Sequence, residues 1–283
     1  MESQAHLSTT KKLLDVRTRA DLLAAGYTDR TIARALSSRQ LLKLGRFWYG
    51  SSVTPPQVAW ALASDHRLTC VSALVLHGVF VIETSGVHVV GRQCRCTAHE
   101  GKIHHPGLRR WPDAEPILPI LHALTHACRC LDAEGAAIAL ESALNKELIR
   151  SDDVPAIFDR LPVRKRKAIG DPDARAMSGP ETRVRRFFEK RGVKVQPQFP
   201  LPDGGFADML VGERLLIECD SKSHHTDAKA FAADRHRDQR NVARGYMVVR
   251  LTYQDVMDNW LTTQRFLLGL IRRGAHRLPR PRR

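Results

Sequence analysis

The sequence of 283 residues carries 45 Lys and Arg against 30 Asp and Glu, a formal net charge of +15 at pH 7. This length predicts two or three domains, and a hydrophobic content of 43% is enough to form their cores. No apolar run approaches the roughly 18 residues of a membrane span, and the N-terminus lacks the apolar segment of a signal peptide. We therefore expect a cytoplasmic protein with no membrane partner, and the excess positive charge favours DNA as its partner.

Residues 15–53 have the pattern of a winged helix-turn-helix. A short helix over residues 19–25 ends at Gly26, and Thr28 begins a second helix with apolar residues at helical spacing. Residues 41–50 alternate as two strands around a Gly-Arg turn, as a wing would. The second helix would lie in the major groove of DNA. The predicted DNA contacts of this domain are Arg30, Arg34, Arg39 and, at the tip of the wing, Arg46.

This stretch resembles the N-terminal domain of AbiEi-type abortive-infection antitoxins and related regulators. The resemblance rests on the pattern of helices and strands over residues 15–53. It implies a DNA-binding winged helix over residues 1–53, followed by an AbiEi-like middle domain over residues 54–161. The alternative is a small helical domain that makes protein contacts, because a fold does not fix a function.

Apolar residues at i, i+3 and i+4 predict that the middle domain is mostly helical. We find no catalytic constellation in it. The pair Cys94 and Cys96, followed by His99, His104 and His105, has poor spacing for zinc, which prefers two matched pairs with wider spacing. The pair Cys128 and Cys130 lies in an apolar helical pattern, where small buried thiols are common. The expected elements are helices over residues 57–64, 70–77, 120–131 and 134–149 and a strand over residues 87–90.

Two basic segments flank the last domain. Residues 162–177 contain Pro, Gly and a basic run without hydrophobic periodicity, which is typical of a linker. Residues 272–283 are rich in Arg and Pro without an acidic residue, so we expect a disordered tail that binds phosphate. The linker residues expected to contact the DNA backbone are Arg164, Lys165, Arg166 and Lys167.

A strand hairpin follows, with Gly212 at its turn. Side chains of a strand alternate between faces, so Glu218, Asp220 and Lys222 share one face of the second strand, and Asp208 of the first strand can lie across from them. Like charges this close raise one another's pKa. A divalent cation with oxygen ligands removes that cost, and Mg²⁺, or Mn²⁺, is the expected ion. The alternative is a solvated hairpin with a charged outer face.

Residues 178–271 resemble the PD-(D/E)xK nuclease superfamily, and within it the very-short-patch-repair (Vsr)-like endonuclease domains. The acidic strand Ile217-Glu218-Cys219-Asp220 is similar to the family's (V/I)-E-x-D strand. The resemblance implies a mixed α/β restriction-endonuclease-like domain whose metal ligands are Asp208, Glu218 and Asp220. The family's helical Glu, its histidine after the acidic strand and its basic helix residue are matched by Glu181, His225 and Arg237, and Arg237 is expected to contact DNA.

The superfamily places Lys two residues after the Glu, where this chain has Asp220. Either Lys222 or His225 would then serve as the general base, and Glu181 would support the site. The function that we expect is a metal-dependent DNA endonuclease with an attached winged helix, acting in DNA repair or phage defence without a small-molecule cofactor. The alternative is a DNA-binding regulator or antitoxin-like protein with an inactive nuclease fold. Both a monomer and a homodimer are compatible with these features.

Overall fold

The computed structural model groups the chain into two compact units. The N-terminal unit comprises Met1–Asp132 and Ile149–Arg166, and the C-terminal unit comprises Ala133–Leu148 and Lys167–Arg283. Each unit combines helices with a sheet, so the predicted α+β class is confirmed. No helix in the described part of the chain has the length and apolar character needed to cross a membrane. The structure describes residues 10–82, 85–91, 98–99, 101–107, 115–220 and 237–278.

The N-terminal unit begins with two helices and a small antiparallel sheet. The elements are β1 (Arg17–Thr18), α1 (Arg19–Ala24), α2 (Asp29–Ser37), β2 (Leu42–Leu44) and β3 (Trp48–Gly50). The strands are ordered β1-β3-β2, so the helices and the hairpin that the sequence predicts here are confirmed as elements.

Short polar motifs fix the ends of these elements. The Thr18 side chain accepts a hydrogen bond from the Asp21 backbone N–H, and the Asp21 carboxylate accepts one from the Thr18 N–H, which forms a capping box at α1. Thr28 caps α2 in the same way with Thr31. Gly45 turns the β2–β3 hairpin at a φ of +70°, a left-handed conformation that glycine adopts without strain.

Apolar side chains of these elements pack together and leave the arginines outside. The buried core consists of Leu22, Ile32, Ala35, Leu41 and Tyr49. Burial of one face of α2 turns its opposite face to solvent. The predicted DNA contacts are accordingly exposed, namely Arg30, Arg34, Arg39 and Arg46.

The next elements run from the middle of the N-terminal unit to the unit boundary. They are α3 (Pro56–Ala63), β4 (His66–Leu68), α4 (Cys70–Leu76), β5 (Val87–Gly91), β6 (Ala98–His99), β7 (Lys102–His105), α5 (Ile120–Cys130), α6 (Ala133–Asn145), α7 (Val154–Phe158) and α8 (Val163–Ile169). The four helices predicted for the middle region are confirmed as α3, α4, α5 and α6, and the predicted strand is confirmed as β5.

The middle region also contains a sheet that the sequence pattern does not indicate. Its four strands are ordered β4-β5-β7-β6, with β5 and β7 parallel. Three of them lie in histidine-rich or polar segments of two to four residues, which are too short for alternation to be recognised. Helices still outweigh these short strands over residues 54–161, and the sheet is an addition to the helices that were predicted.

The segment expected to be a linker begins with a helix, α8. Arg and Lys are good helix formers, so a basic run without hydrophobic periodicity forms one. Lys165 donates a hydrogen bond to the Leu131 carbonyl, and Arg166 lies 3.6 Å from an Asp159 carboxylate oxygen. These two linker cations therefore have partners within the N-terminal unit, whereas Arg164 and Lys167 are exposed.

The C-terminal unit is built on a four-stranded mixed sheet. Besides α6, its elements are α9 (Gly179–Glu189), β8 (Val195–Pro200), β9 (Phe206–Val211), β10 (Leu215–Asp220), β11 (Met247–Thr252), α10 (Tyr253–Met257) and α11 (Trp260–Arg272). The order is β11-β10-β9-β8, with β10 parallel to β11 and antiparallel to β9. Residues 237–243, before β11, are helical.

Alternation along β10 divides its side chains between two apolar clusters. Ile217 and Cys219 face the main core, which α9 and α11 complete with residues such as Phe188 and Leu267. Leu216 lies in the smaller cluster on the other face. This division is the one that the sequence pattern predicts, and it directs Glu218 and Asp220 away from the main core.

The helix α6 is joined to α9 by a buried ion pair. Arg185 of α9 contacts the carboxylate of Glu141, whose side chain is fully buried. The Thr182 hydroxyl donates a hydrogen bond of 2.7 Å to the other Glu141 oxygen. Because both carboxylate oxygens have donors, the charge is tolerated in the interior. The helix predicted over residues 134–149 thus packs with the C-terminal unit.

Candidate active site

Polar side chains line up across the four strands of the C-terminal sheet. The described pairing of β9 with β10 ends at the pair Met209 and Ile217. The next position along both strands brings Asp208 beside Glu218. The residues on either side of Gln198 pair with the residues on either side of Asp208, so Gln198 lies across from Asp208. On the other edge of β10, Glu218 pairs directly with Arg250 of β11. The row therefore reads Gln198, Asp208, Glu218, Arg250. Asp208, Glu218, Asp220 and Glu181 of α9 are called the carboxylate site below.

Asp208 completes the hairpin where backbone pairing stops. Its Oδ2 accepts a hydrogen bond of 2.7 Å from the Cys219 backbone N–H. Burial raises the pKa of Asp208 above its ordinary value, the Cys219 hydrogen bond opposes that rise, and the negative charge of Asp220 adds to it. One carboxylate oxygen of Asp208 is thus engaged with the backbone.

Glu218 is the most buried carboxylate of β10, with 7% of the residue exposed. Its Oε2 lies 3.1 Å from an Arg237 nitrogen and 3.2 Å from an Arg250 nitrogen. Its Oε1 is buried and has no hydrogen-bond partner among the described residues. Burial raises the pKa of Glu218, and the two guanidinium groups oppose that rise. A buried oxygen without a donor is costly, so Glu218 Oε1 can accept a further partner.

Asp220 stands at the end of β10, and its side chain is 35% exposed. Its carboxylate lies 3.9 Å from Arg250, whose guanidinium also contacts Asp238 at 3.2 Å. The predicted sharing of one face by Glu218 and Asp220 agrees with their common contact with Arg250.

Glu181 approaches the same region from the first turn of α9. Its Oε2 accepts hydrogen bonds from the Met177 backbone N–H at 3.0 Å and from the Gln198 amide at 3.2 Å. Burial, and then the charge of Asp208, raise the pKa of Glu181 to about 7. Gln198 has a φ of +48°, a left-handed conformation that strains a residue other than glycine and is frequent at functional sites.

The two predicted base candidates, Lys222 and His225, lie outside the described residues. Arg237, predicted to contact DNA, forms the ion pair with Glu218, and its contact with DNA stays a prediction. Neither Arg250 nor Gln198 was singled out from the sequence. Arg250 could have been, because it is the one charged residue among the apolar residues of its strand; the left-handed backbone conformation of Gln198 within β8 leaves no sequence signal.

A second cluster of titratable side chains lies in the N-terminal unit. It consists of Cys70, His88, His105 and Cys130, and we call it the Cys/His cluster. The sequence pattern argued against zinc because it weighed Cys130 only with Cys128 and His105 only with Cys94 and Cys96, whereas the four residues of the cluster are scattered over four elements. The side chains of Cys94 and Cys96 lie outside the described residues.

The two resemblances in the sequence have no independent support from relatives. Both stay predictions, and the function is argued from the geometry of the carboxylate site. Comparison of the chain with protein-family models, with curated proteins and with solved structures found no match.

Proposed function

We propose that this protein is a metal-dependent DNA endonuclease that carries a DNA-binding winged helix. The observation that carries the proposal is the convergence of Glu181, Asp208, Glu218 and Asp220, in which burial raises the pKa of three carboxyls. Perturbed carboxyls that cluster at the end of a sheet are frequent at catalytic sites. The order of α9, β8, β9, β10, a helical segment and β11 agrees with the restriction-endonuclease-like topology that the motifs imply.

The donor set of the carboxylate site fits Mg²⁺ or Mn²⁺. Both ions prefer carboxylate oxygens, and the buried Glu218 Oε1 without a partner among the described residues is suited to such a ligand. Asp208 and Glu218 would hold the ion, with Asp220 beside them. When bound, the ion would polarise the scissile phosphate and lower the pKa of a water molecule.

Cationic and proton-holding groups of the chain would complete the site. Arg237 and Arg250 lie beside the carboxylates and can bind phosphate oxygens, because guanidinium groups match their geometry. Glu181, with a pKa of about 7, can hold or release a proton near neutral pH. The base that activates the nucleophile would come from Lys222 or His225.

DNA affinity would come from basic residues away from the site. The arginines on the exposed face of α2 and at the β2–β3 turn are oriented to solvent, as a groove-binding helix and a wing require. The net charge of +15 would add affinity that is independent of DNA sequence.

The test is cleavage of labelled duplex, mismatched and single-stranded DNA with Mg²⁺, Mn²⁺ or EDTA. The variant is Asp208→Asn, because the amide oxygen can still accept the Cys219 N–H while losing the charge. The matched control is Asp203→Asn, in the same unit, whose carboxylate pairs with Arg240 and Arg244. We expect metal-dependent cleavage by wild type and control and none by Asp208→Asn, with DNA binding unchanged. Cleavage by Asp208→Asn at the level of the wild type would contradict the assignment of the carboxylate site.

A second function, a DNA-binding regulator with an inactive nuclease fold, is favoured by one specific feature. Two arginines contact Glu218 where the superfamily would place a metal and a lysine, and Asp220 takes the position of that lysine. The same experiment separates the two functions. Salt-sensitive DNA binding by the wild type, without cleavage under any metal, would favour the regulator.

A further inference from the structure

Four elements of the N-terminal unit each direct one sulfur or nitrogen ligand to a common point. The ligand atoms of Cys70, His88, His105 and Cys130 all lie within 4.8 Å of one another. Cys70 is the first residue of α4, His88 lies in β5, His105 ends β7 and Cys130 ends α5. Residues from distant parts of the chain thus meet at one place.

The parallel pairing of β5 with β7 explains how the two histidines meet. Val90 pairs with His105, and His88, two residues before Val90, projects from the same face. Diagonal neighbours on one face are within reach of long side chains. His88 Nδ1 lies 3.0 Å from His105 Nε2 and 3.8 Å from Cys130 Sγ.

These separations resemble the edges of a tetrahedral metal site. Zinc bonds of about 2.0 to 2.3 Å place tetrahedral ligands roughly 3.3 to 3.8 Å apart. Cys70, His88 and His105 are buried, whereas Cys130 is exposed. Three of the four ligands are therefore buried, and the exposed Cys130 is the member through which an ion could enter.

We propose that Cys70, His88, His105 and Cys130 form a zinc site that stabilises the N-terminal unit. Two thiolates and two imidazoles are a donor set of structural zinc sites, and they do not suit Mg²⁺, which prefers oxygen. The site is independent of the carboxylate site, and the proposed nuclease activity can fail without affecting it.

The Cys130 thiol shares hydrogen bonds with the Cys70 thiol and with the two imidazoles. A bound divalent cation would take the place of the shared protons, because the thiolate is the metal ligand.

His126 supports the site from behind without being a ligand. Its Nε2–H donates to the Pro106 carbonyl at 2.8 Å, so its Nδ1 accepts from the Thr69 hydroxyl at 2.7 Å. Thr69 and Pro106 adjoin Cys70 and His105 in the chain, and the His126 ring stacks on His105 with centroids 4.9 Å apart. Such contacts behind a ligand commonly orient it.

The backbone of Cys70 adds a second sign of constraint. Its φ is +49°, a left-handed conformation that costs a residue other than glycine about 1 kcal/mol or more. A bond to a metal ion would offset such strain. Backbone strain is common where a side chain must be held in one orientation.

The test measures the metal content of full-length, tag-free protein purified under reducing conditions and dialysed against metal-free buffer. The variant is Cys130→Ser, chosen because the exposed Cys130 can be changed without disturbing a core. The matched control is Cys128→Ala, a buried thiol of the same helix outside the cluster. We expect about one zinc per chain in wild type and control, and at least a tenfold loss in Cys130→Ser.

Cobalt gives a second, spectroscopic readout of the same site. Co²⁺ added to the zinc-free wild type should produce thiolate-to-cobalt charge transfer and the absorption of a tetrahedral ion, both absent in Cys130→Ser. A wild type that takes up no zinc and gives a featureless cobalt spectrum would overturn the proposal. So would full zinc retention by Cys130→Ser, or a disulfide between Cys70 and Cys130 found by alkylation of the wild type.

Discussion

The carboxylate site and the Cys/His cluster both hold titratable side chains close together in largely buried positions, and they limit the electrostatic cost differently. In the carboxylate site, Arg237 and Arg250 neutralise Glu218, yet Glu218 Oε1 has no partner among the described residues. In the Cys/His cluster, the thiols and imidazoles hydrogen-bond one another. We infer from this difference that the carboxylate site suits a hard cation, which would compete with the arginines for Glu218. The Cys/His cluster would instead suit a zinc ion, which would replace the protons of the thiols.

The largest expected effect comes from removing the zinc ion from the Cys/His cluster. A strong zinc chelator should lower the free energy of unfolding of the N-terminal unit by on the order of 5 kcal/mol, because zinc binding to structural sites contributes about 10 to 16 kcal/mol. Hydrogen exchange followed by mass spectrometry measures each unit separately. The C-terminal unit should keep its protection, and equal loss in both units would contradict a local zinc site.

A smaller effect concerns the proton held by Glu181. Its pKa in the folded protein is raised from 4.5 to about 7, so its contribution to stability is complete below pH 4.5 and is lost as the pH rises through 7. Wild type should therefore lose on the order of 3 kcal/mol relative to Glu181→Gln across this window. Urea unfolding at a series of pH values measures the difference.

The exposed Glu147 of the same unit provides the control for this prediction. Its replacement by Gln should leave the pH dependence of wild type unchanged. If Glu181→Gln follows the same pH profile as wild type, the carboxylate site does not hold its charges in the way described.

The smallest expected effect concerns DNA affinity outside both clusters. Arg30→Gln and Arg34→Gln should each weaken DNA binding and reduce the slope of log K against log salt concentration by about 1, because each removes one phosphate contact. Fluorescence anisotropy over a salt series measures the slope. Arg175→Gln is the control, since Arg175 is already paired with Asp173. An unchanged slope in both α2 variants would exclude this face of α2 from the DNA contact.

The sequence predicts more of the carboxylate site than of the Cys/His cluster, for a physical reason. Alternation within one strand places Glu218 and Asp220 on one face, and a tight turn brings Asp208 across from them, so local pattern predicts their neighbourhood. The Arg250 contact depends on parallel pairing with a strand that follows the segment outside the described residues. Sequence spacing does not encode such a register.

The Cys/His cluster shows more clearly what sequence spacing does not predict. Its ligands come from two helix ends and two strands, and the pairing of β5 with β7 decides that His88 meets His105. Spacing rules detect zinc sites in which both ligands of a pair lie on one turn, and here each ligand comes alone. For the same reason the middle sheet was not predicted, because its short strands are held by partners far along the chain.

The most direct test of the central claim is the binding of Mn²⁺ to the purified protein, monitored by the loss of the electron paramagnetic resonance signal of free Mn²⁺. Wild type and Cys130→Ser should bind Mn²⁺ alike, whereas Asp208→Asn and Glu218→Gln should bind it at least tenfold more weakly. Asp208→Asn and Glu218→Gln that bind Mn²⁺ as tightly as wild type would contradict the assignment of a hard-metal site to the carboxylates.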